Sequence, residues 1–344
     1  MKGEPLPARF ADVAELEELS SRPPPELAAD LARVPGDILV LGVAGKMGPS
    51  LARMAKRAAP DRRVVGVARF SDPAVRAGLE AAGVETIAAD LLDRRAVEAL
   101  PRLANVVYMA AMKFGASGNP ALTWAMNALA PAVVAETFAA SRIVAFSTGC
   151  VYPFVAVDGG GATEAAPTVP PPGDYAWSCV ARERTFEHFS ARFGTPGRLI
   201  RLNYAIDMRY GVLHDIARKV LEGEPIDLAM GHVNVIWQGD ANAAALRCLA
   251  RATTPTSPLN VTGPGTLRVR ELAQTLGRRL GRTPRLVGRE AETGWLNDAS
   301  RMVAELGPPR VPLERMLDWT ADWVGRGMPS YGKPTRYEVR DGRF

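Results

Sequence analysis

Residues 38–48 read ILVLGVAGKMG, four apolar residues followed by a turn with glycine at every third position. The apolar run predicts a buried strand of a parallel sheet, and Gly48 begins a stretch with helical periodicity, 48–59. Glycines in such a turn let the backbone approach a phosphate group, whose charge then lies at the amino end of the helix. The stretch therefore predicts the first strand, turn and helix of a dinucleotide-binding sheet.

The alternation of strand and helix continues to residue 202. Repeated units of this kind form a parallel sheet with crossover helices on both faces. We therefore predict an α/β fold, a doubly wound parallel sheet (Rossmann type) of at least six strands followed by a smaller mixed α/β lobe. The predicted strands are 38–41, 64–68, 86–89, 106–109, 143–147 and 198–202, and the predicted helices between them are 48–59, 73–82, 94–100, 123–140 and 175–193.

The rest of the chain is predicted to form shorter units around this domain, since the strand-helix alternation decays after residue 203. Helices are expected at 211–221, 240–252, 269–281 and 300–306. The predicted division is an N-terminal helical arm (1–34), a dinucleotide-binding domain (35–202, to which 234–252 returns), a substrate lobe (203–233 and 253–330) and a C-terminal tail (331–344).

Composition excludes several classes of partner. The net charge is +5, but the basic residues are scattered and not gathered into stripes with aromatic residues, which argues against nucleic acid and favours an anionic cofactor or substrate. No apolar run reaches the ~20 residues of a membrane span, and the first residues lack a signal-peptide pattern. We therefore expect a cytoplasmic protein that contacts no membrane.

The cysteines and histidines predict neither disulfides nor a metal centre. Three cysteines in 344 residues do not form a disulfide framework, and no spacing among them or the histidines matches a zinc site. The residues concerned are Cys150, Cys179, Cys248, His188, His214 and His232.

Residues after the second and third strands bear on the choice of cofactor. Many NAD-binding proteins carry an acid after the second strand, whereas this chain has Arg69 followed by Phe70 and Ser71. Arginine and serine suit the 2′-phosphate of NADP. Asp90 follows the third strand, where it could accept a hydrogen bond from the adenine amine or cap a helix. We expect NAD(P), with Arg69 favouring NADP.

Two short segments carry candidate catalytic groups. Residues 147–152 read STGCVY, residues 175–179 read YAWSC, and a loop rich in proline and glycine separates them. A phenol that exchanges a proton, beside a hydroxyl that orients the oxygen, suits chemistry at an alcohol or carbonyl carbon. Thr148 and Tyr175 are therefore the candidate pair.

The ordered set of motifs resembles the extended short-chain dehydrogenases/reductases, the NAD-dependent epimerase/dehydratase family. The match runs from about residue 37 to 306. It is carried by Gly42 to Gly48, Asp90-Leu91, Ala110-Ala111, Asn127, Ser147-Thr148-x-x-Val151-Tyr152, Thr163-Glu164 and Tyr175-x-x-Ser178.

The resemblance implies roles for further residues. Thr148 and Tyr175 correspond to the catalytic hydroxyls, Lys113 to a lysine near the cofactor phosphates, and Asn127 to a structural or water-holding asparagine; the alternatives are a solvated loop lysine and a helix kink. Helices 123–140 and 175–193 correspond to those that pair relatives into homodimers. The predicted cofactor contacts are Gly42, Ala44, Gly45, Lys46, Met47, Gly48, Arg69, Asp90, Leu91, Ala110, Ala111, Lys113, Asn127 and Tyr175.

Cys179 departs from the family pattern, which has lysine four residues after the tyrosine. Cysteine is shorter, is normally neutral at pH 7 and lacks the three donors of lysine. Three explanations stay open: Tyr175 works at a shifted pH, Tyr175 serves only as an acid, or catalysis is lost while dinucleotide binding persists. A fourth, Cys179 as a nucleophile, lacks a neighbouring histidine in the sequence.

A second departure concerns the substrate. Relatives that bind sugar nucleotides commonly hold the diphosphate with arginines at positions that correspond here to Val233 and to Thr293-Gly294. We therefore predict an oxidoreductase or epimerase with a small, sugar-like, non-nucleotide substrate, unless Arg289 or Arg209 replaces them. Alternatives are a nucleotide-sugar epimerase/dehydratase and a non-catalytic dinucleotide-binding protein. The candidate substrate contacts are Thr148, Trp177, Asn203, Arg209, Tyr210, His232 and Trp237, with core packing as the alternative for Trp237.

Overall fold

The computed structural model describes residues 5–113 and 118–341. Its strands are β1 (Ile38–Leu41), β2 (Val64–Ala68), β3 (Glu85–Ala88), β4 (Asn105–Tyr108), β5 (Arg142–Thr148), β6 (Val155–Ala156), β7 (Gly197–Leu202), β8 (Ala205–Ile206), β9 (Pro225–Asp227), β10 (His232–Val233), β11 (Ile236–Trp237), β12 (Ser257–Val261), β13 (Leu267–Arg268), β14 (Arg285–Val287) and β15 (Thr293–Gly294).

The helices alternate with the strands through the first two hundred residues. They are α1 (Val13–Ser20), α2 (Pro25–Ala32), α3 (Gly48–Ala58), α4 (Pro73–Ala81), α5 (Arg94–Glu98), α6 (Pro120–Trp124), α7 (Ala130–Thr137), α8 (Asp174–Phe193), α9 (Val212–Glu222), α10 (Gln238–Arg247), α11 (Val269–Leu280), α12 (Ser300–Leu306) and α13 (Leu313–Gly325).

Seven parallel strands form the central sheet, in the order β12-β7-β5-β4-β1-β2-β3. The interior strand β1 pairs with β2 and β4, so that Ile38 lies opposite Val64 and Asn105. Every residue of β1 is buried, which explains its uninterrupted apolar run. The predicted doubly wound parallel sheet is confirmed, and within the described residues four two-stranded sheets accompany it, among them β10-β13 and β14-β9.

The seventh strand corrects the predicted lobe boundary. β12 pairs in parallel with β7, so 257–261 belongs to the central sheet and not to a substrate lobe spanning 253–330. Its Pro258 and Asn260 interrupt the apolar pattern that marks a buried strand. An edge strand tolerates proline because one side of its backbone needs no partner.

The helix predicted at 123–140 is interrupted by a π-helical turn at Ala125–Leu129, between α6 and α7. Pro131 lacks a backbone N–H and its ring would clash with the carbonyl of Asn127 four residues earlier in a regular α-helix. One wider turn relieves that conflict. The turn leaves Asn127 fully buried.

The N-terminal arm packs onto the body of the protein. Phe10 lies 4.7 Å from the ring of Trp319, and both are buried in the core of the smaller lobe. Glu17 forms ion pairs with Arg53 and Arg209. The arm is thus part of the core packing. Among the described helices, none is long and apolar enough to cross a membrane.

Candidate functional site

A cleft of about 440 Å³ lies at the carboxyl ends of the sheet strands. After β1 the chain adds β2 and β3 on one side and then crosses to add β4 on the other, which makes this edge the switch point where such sheets bind ligands. The volume falls within the range of small-ligand pockets. Its walls include the glycine-rich turn, the end of β5, the start of α8 and part of the C-terminal tail.

The glycine-rich turn has two glycines fixed by packing and one that faces open space. A Cβ on Gly42, whose φ is +86°, would lie 2.6 Å from the Ala110 nitrogen, and one on Gly48 would lie 2.1 Å from the Val43 carbonyl oxygen. A Cβ on Gly45 would meet only the Gly42 oxygen, at 3.5 Å. The turn therefore presents bare backbone to the cleft at Gly45, beside the start of α3, as a bound pyrophosphate requires.

Thr148 and Tyr175, the predicted catalytic pair, line this same cleft. Thr148 ends β5 and Tyr175 lies in the first turn of α8. Burial raises the pKa of Tyr175 well above its usual value, and a hydrogen bond with Thr148 acts in the opposite direction. The phenol is therefore protonated at neutral pH in the protein alone.

Cys179 lies one turn along α8 from Tyr175 and is fully buried. Burial raises the pKa of its thiol to about 11, although the nearby Arg182 opposes the shift. A thiol with this pKa is neutral at pH 7 and is a poor nucleophile. Cys179 is not among the residues that line the cleft.

Lys113 lines the same cleft and lies near the tyrosine. Its Nζ lies 5.9 Å from the centre of the Tyr175 ring and donates to the Thr335 carbonyl oxygen at 3.3 Å. Burial lowers the pKa of Lys113. The cleft thus contains a lysine near the phenol, contributed by the loop after β4 rather than by α8.

Asn127 ties the loop after β4 to α8. Its Oδ1 accepts from the Met112 nitrogen at 2.9 Å and from Arg182 Nη2 at 2.7 Å. Its Nδ2 donates to the Met112 oxygen and to Ser178 Oγ. All these bonds are internal and Asn127 does not line the cleft, so its contacts are structural.

A buried ion pair supports the floor of the site. Arg201 Nη2 lies 2.7 Å from Glu183 Oε2, Ser147 Oγ donates to Glu183 Oε1 at 2.6 Å, and Arg201 Nη1 donates to the Tyr152 hydroxyl. These bonds hold the end of β5 against α8. Sequence reasoning missed Glu183, although it follows Tyr175 and Cys179 at a further spacing of four and so shares their helix face.

Several predicted cofactor contacts lie outside the cleft lining. Arg69 follows β2 and is exposed. Asp90 Oδ1 accepts from the Leu92 nitrogen at 3.0 Å, within a turn. Leu91 and Ala110 belong to the hydrophobic core. The predicted contacts that do line the cleft are Gly42, Ala44, Gly45, Lys46, Met47, Gly48, Ala111, Lys113 and Tyr175.

The predicted substrate contacts divide in the same way. Asn203 and Tyr210 line the cleft together with Thr148. Trp237 is core, with its ring 5.4 Å from Trp319. Arg209 is held by Asp207 and Glu17. Trp177 is exposed on α8 and His232 lies in β10, both outside the cleft lining.

The C-terminal tail reaches this site, although no sequence pattern indicates it. Lys333 and Thr335 line the cleft, as do Cys150 and Tyr204. The tail begins after α13 and carries no motif, so its position depends on tertiary contacts that no local pattern encodes.

Comparison with known proteins agrees with this geometry. A profile of the NAD-dependent epimerase/dehydratase family matches residues 38–241, and no curated protein sequence matches the chain. MoeE5, solved in complex with UDP-glucose and NAD, is similar at 23% identity and TM-score 0.68, over 85% of this chain and 99% of its own.

Two further solved structures are similar over most of their length. The UDP-glucose 4-epimerase of Thermus thermophilus, in complex with NAD, is 21% identical with TM-score 0.68, over 85% of this chain and 99% of its own. A dTDP-glucose 4,6-dehydratase from Streptomyces venezuelae, solved with NAD bound, is 20% identical with TM-score 0.72, over 84% and 97%. Identities this low establish a shared fold, while the profile match spans more than half of the 344 residues. The chain therefore belongs to the NAD-dependent epimerase/dehydratase family.

Proposed function

We propose that the chain is an NAD-dependent oxidoreductase or epimerase that acts at an alcohol or carbonyl carbon of a small, sugar-like substrate. One observation carries the proposal: the phosphate-binding turn and the pair Thr148 and Tyr175 line a single cleft. A cofactor held at the turn would share this cleft with the tyrosine. Neither part alone would support hydride chemistry.

The residues present fit a dinucleotide. The open backbone at Gly45 and the amino end of α3 would hold the pyrophosphate. Bound NAD would supply the hydride acceptor, and NADH the donor. Arg69 is exposed and outside the cleft lining, and the three similar structures carry NAD. The cofactor of these structures favours NAD over the NADP that Arg69 suggests.

We assign the proton transfer to Tyr175. Its pKa lies well above the usual value because the phenol is buried, so in the direction of reduction it donates a proton to the carbonyl oxygen while the Thr148 hydroxyl orients that oxygen. In the direction of oxidation the phenolate must form first. The charge of Arg182 lowers the pKa of Tyr175 and so favours the phenolate, and Lys113 is a second basic group near the ring.

We propose that the rest of the cleft binds a substrate that carries no nucleotide. Val233 is buried and apolar where relatives commonly have arginine. At the second such position, the Thr293 oxygen and hydroxyl accept hydrogen bonds from Arg340 of the tail. Arg209 is engaged by acids and Arg289 is exposed. The second candidate, a nucleotide sugar, is favoured by the UDP-glucose bound to MoeE5.

The test measures cofactor binding and turnover separately. Calorimetric titration with NAD⁺ and NADP⁺ is expected to show tighter binding of NAD⁺. Neutral sugars, uronic acids, sugar phosphates and UDP-glucose are then screened for NADH formation, and tightly bound nicotinamide in the purified protein would favour an epimerase. Tyr175→Phe is expected to lower kcat at least about 100-fold while the NAD⁺ affinity stays within about twofold. Full activity in the variant would contradict the catalytic assignment, and NAD⁺ binding without any turnover would support the non-catalytic alternative.

A further inference from the structure

Lysine is scarce in this chain and concentrated in the cleft. Of 42 basic residues only six are lysines: Lys2, Lys46, Lys56, Lys113, Lys219 and Lys333. Three of the five lysines in the described residues, Lys46, Lys113 and Lys333, line the cleft, whereas its described lining includes no arginine and no carboxylate. The basic residues of the described lining are therefore all lysines, in a protein whose usual basic residue is arginine.

The three lysines come from separate parts of the fold. Lys46 lies in the glycine-rich turn and Lys113 after β4, near Tyr175. Lys333 belongs to the C-terminal segment 331–341, which we call the strap. The strap contributes Lys333 and Thr335 to the lining of the cleft.

The strap is fastened at several points along its length. The Tyr331 nitrogen donates to the Arg209 oxygen. Both the nitrogen and the hydroxyl of Thr335 donate to Asp215 Oδ2 on α9. Arg340 donates to the Thr293 oxygen at 2.7 Å and its guanidinium lies 4.2 Å from the Phe154 ring centre. Lys333 is therefore held between two fixed points, in the segment that faces the cleft.

The lysines repel one another through the cleft. Burial lowers the pKa of Lys46 to about 7, and the charges of Lys113 and Lys333 contribute to this shift, with Asp215 opposing. The Nζ of Lys46 also lies 3.2 Å from the centre of the Tyr210 ring. An anion among the lysines would relieve this repulsion and favour the charged form of Lys46.

We propose that Lys333 of the strap, with Lys46 and Lys113, binds a phosphate or carboxylate group of the substrate. The inference rests on the proposed function and narrows its substrate to anionic sugar-like molecules. Lys113 lies near Tyr175 and donates to the Thr335 carbonyl of the strap, which places the anion site at the catalytic end of the cleft. Lys46 joins this site to the cofactor turn.

The experiment compares three ligands of similar ring on the NAD⁺-saturated full chain: glucose, glucuronate and glucose 6-phosphate. Binding is measured by calorimetry for the wild type, Lys333→Gln and Arg336→Gln. The two variants each remove one positive charge from an exposed position of the strap, but only Lys333 lines the cleft. We expect at least one anionic sugar to bind the wild type about tenfold tighter than glucose. Lys333→Gln should weaken the binding of that sugar by about the same factor, whereas Arg336→Gln should change its affinity by less than about twofold.

Each outcome decides the proposal. Preference for glucuronate identifies a carboxylate, and preference for glucose 6-phosphate a phosphate. The proposal is overturned if the anionic sugars bind Lys333→Gln and the wild type equally. It is also overturned if Lys333→Gln loses NAD⁺ affinity while its affinity for the sugars is unchanged, since Lys333 would then bind the cofactor. Failure of both anions to exceed glucose in the wild type also overturns it. The proposed function survives all of these results, because it depends on NAD⁺ binding and on Tyr175.

Discussion

At the scale of single residues, Cys179 gives Tyr175 a neutral neighbour one helical turn away, where the family pattern has lysine. The thiol is fully buried and its pKa of about 11 leaves it neutral at pH 7. Burial meanwhile raises the pKa of the phenol. A neutral neighbour cannot offset that cost, so the tyrosine is better suited to donate a proton than to accept one.

Restoring a cation at position 179 should move the pH dependence of the reaction. Oxidation of an alcohol needs the phenolate, so its rate rises with pH until Tyr175 is ionised. A positive charge within about 6 Å lowers the pKa of an acidic group by about 1–3 units. We expect Cys179→Lys to shift the rising limb of the kcat profile for oxidation by at least about one unit toward neutral pH.

Cys179→Ser is the matched control, since it keeps a small neutral side chain and should leave the profile in place. Unfolding curves of both variants show whether the longer lysine is accommodated in this packed position. A profile that is the same in the wild type and in a folded Cys179→Lys variant would contradict the assignment of Tyr175 as the group that titrates.

At the scale of elements, we expect two glycines of the turn between β1 and α3 to have different roles: Gly48 is needed for packing and Gly45 for cofactor binding. The Cβ of an alanine at position 48 would lie 2.1 Å from the Val43 oxygen, whereas at position 45 it would meet only the Gly42 oxygen at 3.5 Å. We expect Gly48→Ala to destabilise the fold by about 1–3 kcal/mol. Gly45→Ala should change stability by less than about 0.5 kcal/mol but weaken NAD⁺ binding about tenfold or more, because its methyl group faces the cleft.

Denaturant unfolding and NAD⁺ titration of the two variants check this contrast. If both variants lose NAD⁺ affinity equally and neither loses stability, Gly48 has no packing role. Unchanged NAD⁺ affinity in Gly45→Ala would mean that the pyrophosphate does not approach the turn at this point.

The elements also show which features local sequence encodes. The run 38–48 was sufficient to predict the first strand, turn and helix, because β1 is buried on both faces and its turn needs glycine for steric reasons. The edge strand β12 was missed because Pro258 and Asn260 hide its pattern. The π-helical turn follows from Pro131, and it contains Asn127, for which a helix kink was one of the two interpretations. The strap has no local signal, since its position depends on partners such as Asp215 that are distant in sequence.

At the scale of the whole molecule, exposed apolar side chains indicate a partner surface. Eight large apolar side chains are exposed in the described residues, and five of them, Leu122, Trp124, Leu129, Trp177 and Phe193, lie on α6, the π-helical turn or α8. Trp124 Nε1 donates to Asp174 Oδ1, which joins α6 and the π-helical turn to the start of α8, where Trp177 lies, into one surface; Phe193 lies at the other end of α8. Grouped exposed apolar residues mark association sites. We propose that this surface pairs two copies of the chain.

A single charge in this surface should separate the dimer. Leu129 is 55% exposed, and burying a carboxylate against a second copy without a partner charge opposes association. We expect the wild type to have a solution mass close to twice the 36.9 kDa of the chain, and Leu129→Glu to have the mass of one chain, by light scattering after gel filtration. Val287→Glu, on the exposed strand β14 and outside this surface, should stay dimeric. Pairing through α6 and α8 would be excluded if the wild type is monomeric at micromolar concentration or if Leu129→Glu remains dimeric. If Leu129→Glu dissociates and its NAD⁺ affinity is unchanged, each cleft is complete within one chain.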